Sequence, residues 1–527
     1  MSVATRPVPL RDFTGGLNNV ADLSAIEDKE LAIISNLELD SNGSLVSRPP
    51  IVKIQSFPAP TLPAEQLGYF SRADGVNFIV YAHNSKTYLY EPVGGTFTQI
   101  ASFAASGCTQ YQNRLYICAR TTRGGWWGET VAGSGTYTYQ SLAGGATPMP
   151  FGDQIVTYKD RLWIAGWGNS DELTKVYLSD ITNTTGGDIN NWPLLNFIYV
   201  SRGDGQWITK LHPGSNDLTI LRSASAYYFH YDSDPVLGTL SRYEGNIGTE
   251  NKYTTATYQN YLYTLCNGAL YQLIGYQFYR RNDPEKLRFR TRDTTTPYAV
   301  SAAISVVGSR CIIWYMGETY TLNLNTLVWS QWDSPTTMAA MFRTIPRAQG
   351  YFGVDVAYGI TGSGEAGKNG VYRIIDEVDN TNKEQMVCKI RTKAYDYQTP
   401  DRYKTLFWWS LDALTADSVT GTAMPIVLAT SVTTYDDLDA LVGGYDQMDL
   451  ASWDNLTVKS PGVSITRTNP TTFPTRPSYK FIKKLRFRRI YYEVAIDFDG
   501  SLATGPVHIF GLVSYVEVKQ KTTKGVS

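Results

Sequence analysis

A short phrase recurs along the chain and restricts its fold more than any other feature. It stands as Tyr111-Gln-Asn-Arg-Leu-Tyr-Ile117, as Tyr158-Lys-Asp-Arg-Leu-Trp-Ile164 and as Tyr258-Gln-Asn-Tyr-Leu-Tyr-Thr264, with a weaker echo at Val307-Gly-Ser-Arg-Cys-Ile-Ile313. Each copy sets an aromatic or apolar residue, a polar two-residue turn and an alternating strand in that order, the pattern of a β-hairpin. A second aromatic strand pattern accompanies it, at Thr87-Tyr-Leu-Tyr90, Lys175-Val-Tyr-Leu178, Ala226-Tyr-Tyr-Phe229, Ala269-Leu-Tyr-Gln272, Thr319-Tyr-Thr-Leu322 and Gly370-Val-Tyr-Arg373. Successive companions lie roughly 40–90 residues apart, and the shorter intervals match one four-stranded propeller blade. A single blade cannot bury both of its faces, whereas radial packing of blades covers them and leaves only short edges. The pattern therefore predicts a β-propeller of about six blades. A series of β-sandwich domains is the alternative, and the recurring phrase argues against it.

Composition agrees with an all-β chain. Charged residues make up 18% of the 527, below the roughly 25% of an average soluble chain, and aromatics make up 13%, led by 37 tyrosines. Tyrosine and tryptophan offer large apolar area with a polar tip, which suits strand faces and subunit interfaces. The net charge of -1 gives no global attraction to nucleic acid or to an acidic membrane. No apolar run reaches the ~18 residues of a membrane span. The start, MSVATRPVPLRDF, lacks the apolar core of a secretory leader, so the chain is expected to be soluble and made in the cytoplasm.

The ends differ from the middle. Residues 1–60 are read as an N-terminal arm. Within it, Ser24-Ala-Ile-Glu27 matches a capping box, and Leu31, Ile34 and Leu37 follow at helical spacing, which predicts one short helix over about 24–37. Ile26, Ile34 and Leu37 are available for burial, so this arm is expected to dock on the C-terminal domain or on a neighbouring subunit. Residues 61–385 form the propeller, and residues 386–527 a C-terminal β domain resembling a sandwich. The fold class is thus all-β, with the propeller inserted between a short helical arm and a terminal sandwich-like domain.

Motifs for chemistry are few. Cys108, Cys118, Cys266, Cys311 and Cys388 are scattered singly, and His83, His212, His230 and His508 form no paired motif. No disulfide framework, metal or cofactor is expected. Asp436-Asp437-Leu-Asp439 and Asp376-Glu-Val-Asp379 are the densest carboxylate clusters, and a solvated loop accounts for each. Thr361-Gly-Ser-Gly-Glu-Ala-Gly-Lys368 fails as a phosphate-cradling loop because Asn369, not Ser or Thr, follows the lysine. The chain is accordingly expected not to be an enzyme. Its sharpest charge feature is the basic run around Lys483, Lys484, Arg486, Arg488 and Arg489. These five residues are candidate subunit or domain contacts with acidic partners nearby; lining a channel for DNA phosphates is the other reading.

The opening Phe13-Thr-Gly-Gly-Leu-Asn18, then Asn36-Leu-Glu-Leu-Asp40 and Gly43-Ser-Leu-Val-Ser-Arg48-Pro49, resembles that of phage tail-nozzle (tail tubular) proteins. Asp160-Arg-Leu-Trp-Ile-Ala-Gly166, Val176-Tyr-Leu-Ser-Asp180 and Asn191-Trp192 resemble the nozzle propeller, and Phe487–Val494 with Ile509–Leu512 resemble C-terminal β domains of tail proteins. The resemblance implies a structural virion protein of the phage tail. Its subunits would form a homo-oligomeric ring, usually of six, between portal or adaptor proteins above and tail fibre or closing tail proteins nearby, and viral DNA would pass through during ejection. A second class of function stays open. The aromatic segments Gly125-Trp-Trp127 and Phe407-Trp-Trp-Ser410 are suited to stacking on sugars, so a carbohydrate-binding or carbohydrate-cleaving propeller is the alternative.

Overall fold

The computed structural model describes residues 6–40, 42–57, 64–131, 133–144, 147–181, 188–232, 234–289, 302–316, 318–332, 343–344, 357–360, 370–374, 386–398, 404–414, 419–426, 463–467, 478–487, 489–498 and 507–518. Among them there are strands and two short 3-10 turns and no α-helix.

The recurring phrase is the first hairpin of a four-stranded antiparallel sheet. In two copies both turn residues take left-handed backbone, Lys159 and Asp160 at φ 45° and 56° and Gln259 and Asn260 at 46° and 67°; in the other two only the first does, Gln112 at 52° and Gly308 at 57°. Two successive positive φ values are what the tightest hairpin turn demands, and the turn then fixes the register of the strands on either side. The companion pattern is the third strand of a sheet in all six places where it occurs.

Among the described residues seven four-stranded units follow one another, against an expectation of about six. Six of them run Ala64–Ser71 to Thr96–Ala101, Gly107–Tyr111 to Tyr137–Ser141, Gly152–Tyr158 to Phe197–Tyr199, Ile208–Pro213 to Thr239–Arg242, Thr255–Tyr258 to Gln277–Arg280, and Ala302–Val307 to Trp329–Trp332. The unit without the companion pattern is the second, whose third strand is Gly125–Glu129. The seventh unit joins Arg343–Thr344, Ala357–Ile360 and Gly370–Ile374 to a strand from far upstream, Ile51–Ser56. The chain segment that leads into the first unit is thus the outer strand of the last.

Apolar clusters sit between successive sheets all the way round. Phe70, Val80 and Trp127 join the first to the second; Trp126, Ile155 and Leu162 join the second to the third; Trp163, Leu218 and Phe229 join the third to the fourth. Leu221 and Leu262 link the fourth to the fifth, and Leu265 and Ile313 the fifth to the sixth. Ile51, Trp332 and Ile374 link the sixth to the seventh, and Val371, Ile79 and Tyr81 bring the seventh back to the first. The arrangement is a closed, propeller-like ring in which each sheet buries both faces against its neighbours.

The N-terminal segment contains no helical arm, which corrects the expectation of a helix over 24–37. Glu30–Ser35 is a strand, paired antiparallel to Met386–Thr392 and parallel to Gly16–Leu17. The supposed capping box is not made: the backbone N–H of Glu27 donates to the Glu30 carboxylate, and that of Ser24 donates to Asp22. A helix of about 13 residues is marginal by itself. The ladder satisfies the same backbone groups and also buries Leu31 and Ile34, while the β-branched pair Ile33-Ile34 favours a strand. Asn36 then adopts φ 58° and ends the strand. Its amide donates to the Val387 carbonyl and accepts from Arg48 Nε, both at 2.8 Å, and the buried Arg48 guanidinium lies over the Trp332 ring.

The remaining strands build on the sixth unit. Its outer strand Trp329–Trp332 continues through Glu30–Ser35 to Met386–Thr392, Arg489–Phe498, Val419–Ile426 and Val463–Arg467 in one sheet. A second sheet orders Ser478–Phe487, Lys404–Leu414, His508–Val518, Leu45–Ser47 and Leu37–Leu39, with Arg6–Leu10 also paired to His508–Val518. Leu10, Phe13, Leu406, Trp409, Phe487, Tyr492 and Val516 share one core between these sheets, continuous with Leu265 and Ile313 of the ring.

Candidate functional site

Most residues singled out in the sequence fall in packing positions or outside the described residues. Lys483, Lys484 and Arg486 belong to Ser478–Phe487, which among the described residues is an edge strand of its sheet, with Arg486 opposite Thr405. Arg489 begins Arg489–Phe498 in the other sheet, opposite Ile426. Arg488, between them, lies outside the described residues, as do both carboxylate clusters and the stretch 361–368. The basic run is therefore divided between two sheets. Trp126 and Trp127 are buried, with the Arg114 guanidinium 4.0 Å from the Trp126 ring; Trp409 is buried against Tyr492, and Trp408, half-buried, stacks on Tyr515. Trp126, Trp127 and Trp409 therefore present no open face to a sugar ring. Among the described residues no group of three or more His, Cys, Asp or Glu side chains could hold a metal ion.

Two other places carry unspent polar chemistry. The first is on the axis of the ring. The innermost strands of the first six units surround a hollow of about 460 Å³. Its lining includes Tyr69, Cys108, Thr109, Thr157, His212, Lys252, Thr257 and Ser305. One end is bridged by Lys252, which enters from the fifth unit. Its ammonium, almost wholly buried, lies 2.5 Å from Glu65 of the first unit and 3.5 Å from Asp153 of the third, and it donates to the Ser106 carbonyl beside the second at 2.7 Å. Arg120 also binds Asp153, at 2.7 Å, while its guanidinium rests on the Trp167 ring. Two cations and two carboxylates thus meet where four units converge, and Lys252 sets this cluster at the floor of a funnel-like hollow. Burial, with Lys210 beside it, pushes the His212 imidazole in the funnel wall down to about 4.

The second place is a cleft of about 370 Å³ between the third and fourth units, lined by Ser170, Asp171, Arg202, Gly203, Gly205, Gln206 and Trp207. Trp207 is 49% exposed, in contrast to the buried tryptophans of the core. Its loop is held from beneath. Arg222, fully buried, donates to both oxygens of Asp204 and to the Gln206 carbonyl; Ser201 and the Gln206 N–H also donate to Asp204. Hydrogen bonding from Arg222 holds the Asp204 carboxyl down at about 2, so the tie is complete above the ordinary carboxylate value and is lost only as pH falls through about 2. Gly203 and Gly205 take φ 83° and 72°, where a side chain would be strained. On the opposite wall Asp171 is held by Lys175 at 3.0 Å, by the Tyr199 hydroxyl at 3.2 Å and by Arg202 at 3.7 Å, and the Arg202 guanidinium covers the Tyr199 ring. Sequence reasoning passed over this cleft. The available signal was Gly203-Asp-Gly-Gln-Trp207, a tryptophan placed directly after turn chemistry instead of inside an alternating strand.

No protein-family model and no curated protein matches the chain. Solved structures that are similar to it include YCF48 from Cyanidioschyzon merolae (10% identity, TM-score 0.39) and U3-55K (10% identity, TM-score 0.40). A catalytically inactive virginiamycin B lyase from Staphylococcus aureus with quinupristin is similar at 9% identity and a TM-score of 0.39. The alignments cover 61–62% of this chain and 98% of each of those chains. None of the three is a phage protein, and nothing found ties the chain to a tail. The expectation of a virion subunit forming a nozzle ring for genome passage is corrected accordingly.

Proposed function

We propose that this chain is a non-catalytic carbohydrate-binding protein and that the Trp207 cleft is its sugar-contacting surface. The observation that carries the reading is a half-exposed tryptophan on a loop fixed by a fully buried arginine. A free tryptophan face offers an apolar platform for the C–H face of a sugar ring, and the polar edge of the ring then needs donors and acceptors beside it. Arg202, Asp171 and Ser170 line the same cleft. A loop already held in place loses little conformational entropy on binding, which favours affinity. Hydrolysis of a glycosidic bond calls for two carboxyl groups facing each other across it. Asp171 is the one carboxylate among the residues lining this cleft, and it is engaged by two cations and a hydroxyl.

The test is a glycan array probed with the whole chain, followed by titration of the best-retained glycan. Trp207→Ala is expected to weaken binding on the order of 10–30-fold, as loss of a tryptophan anchor does. The glycan recovered after prolonged incubation is expected to be intact. Binding unchanged in Trp207→Ala, an array without retained glycans, or release of shortened sugars would each overturn the reading.

A further inference from the structure

We infer that the funnel on the ring axis is a second binding site, separate from the Trp207 cleft, for a small neutral polyhydroxylated molecule of monosaccharide size. The hollow of about 460 Å³ falls within the roughly 300–1,000 Å³ of small-molecule sites. It lies on the ring axis, whereas the cleft lies between the third and fourth units, and the two share no lining residue.

The walls select the ligand. Thr109 and Thr157 meet across the second and third units with their oxygens 3.1 Å apart, and Thr157 also donates to the Gln110 carbonyl at 3.0 Å. A hydroxyl has one proton. Thr157 spends its own on that carbonyl, so Thr109 donates to Thr157, and the pair turns only acceptor lone pairs to the funnel. A carboxylate brought here would face acceptors. An ammonium would face the Lys210 side chain, which also lines the funnel, next to an imidazole that burial first and Lys210 second hold below its ordinary range. A neutral hydroxyl supplies the missing proton at no charge, and neutral imidazole offers one donor and one acceptor to further hydroxyls. At the floor the two cations and two carboxylates around Lys252 cancel, so no net charge is left there for an ionic ligand.

The experiment is saturation-transfer NMR on the full chain with D-glucose and myo-inositol as neutral probes, D-glucuronate as the anion and D-glucosamine as the cation. At least one neutral probe is expected to receive transfer, to keep it in Trp207→Ala, and to lose it at least ten-fold in the double variant Thr109→Val/Thr157→Val. A second readout uses Cys108, which lines the funnel and is half-buried while the other four cysteines are buried. In Trp207→Ala the bound neutral probe is expected to slow alkylation of Cys108 by N-ethylmaleimide several-fold, and this readout decides the matter if the double variant does not fold. The inference is overturned if no neutral probe binds, if glucuronate or glucosamine binds more tightly, if transfer vanishes in Trp207→Ala, or if Cys108 reacts at one rate with and without the probe. Because Trp207→Ala silences only the cleft, failure of the carbohydrate reading above leaves a distinct result.

Discussion

Replacing Ile51 by aspartate is expected to open the ring, with a loss of unfolding free energy of more than about 4 kcal/mol. Ile51 is buried in the strand that completes the seventh sheet, opposite Ile374, and it packs against Val307, Ile312, Trp332 and Tyr372. A carboxylate there would have to be desolvated among apolar side chains. The strand also closes the ring by joining the chain's start to its last unit, so the damage should spread beyond one cavity. Hydrogen exchange should rise first in Gly370–Ile374, whose ladder depends on this strand. Ile51→Ala should cost about 2–5 kcal/mol, as a large-to-small change in a core does. Gln55→Asp, on the same strand but exposed, should change stability by less than about 0.5 kcal/mol. Equal effects at positions 51 and 55 would show that this strand does not close the ring.

The second large effect is expected at Lys252. Lys252→Met keeps the apolar stem and removes the ammonium that bridges Glu65, Asp153 and the Ser106 carbonyl. Breaking a buried ion pair by deleting one partner leaves the other charge uncompensated, typically at about 3–5 kcal/mol. Asp153 is mostly buried but keeps Arg120, and Glu65 is partly exposed, so the lower end of that range applies. In urea unfolding, Lys252→Met/Asp153→Asn should be less destabilised than the two single variants summed, since the neutral amide no longer needs a counter-charge. Strict additivity would mean that Lys252 and Asp153 are not coupled, and the floor of the funnel would then need another explanation.

Much of the ring is legible locally. A two-residue turn at Lys159-Asp160 or Gln259-Asn260, followed by an alternating strand, specifies a hairpin through the backbone angles those residues accept. The aromatic third strands could be read because their neighbours in the sheet are also their neighbours in sequence. The second unit shows the hairpin phrase but not the companion pattern, because its third strand, Gly125-Trp-Trp-Gly-Glu129, breaks the aromatic alternation with two glycines. Gly125 tolerates no side chain, since an added Cβ would stand 2.1 Å from the Gln140 carbonyl oxygen of the adjoining strand. That constraint comes from a close approach of backbones and has no periodic signature.

The helix misreading has a different cause. Leu31, Ile34 and Leu37 do share a face of a helix, and the spacing alone cannot tell that pattern from two strands separated at Asn36. What decided the outcome was a partner about 350 residues away, Met386–Thr392. The site residues were hidden for the same reason. Lys252 lies in an unremarkable run between Asn251 and Tyr253, and Arg222 ends a strand; neither has a charged neighbour in sequence to mark it. Their carboxylates come from other units or from a preceding loop.

The sequence by itself determined that the chain is all-β and built from repeated antiparallel hairpin units, because turn chemistry and strand period act over a few residues. The tertiary structure alone decided that the described residues build seven units, that Ile51–Ser56 closes the last, and that Glu30–Ser35 is a strand. It also decided that Lys252 floors a funnel and that Trp207 stays exposed while Ile208 after it and Arg222 beneath its loop are buried. Each of these depends on backbone pairing or charge contact between segments far apart in the chain, and such contacts take shape only when the ring brings those segments together.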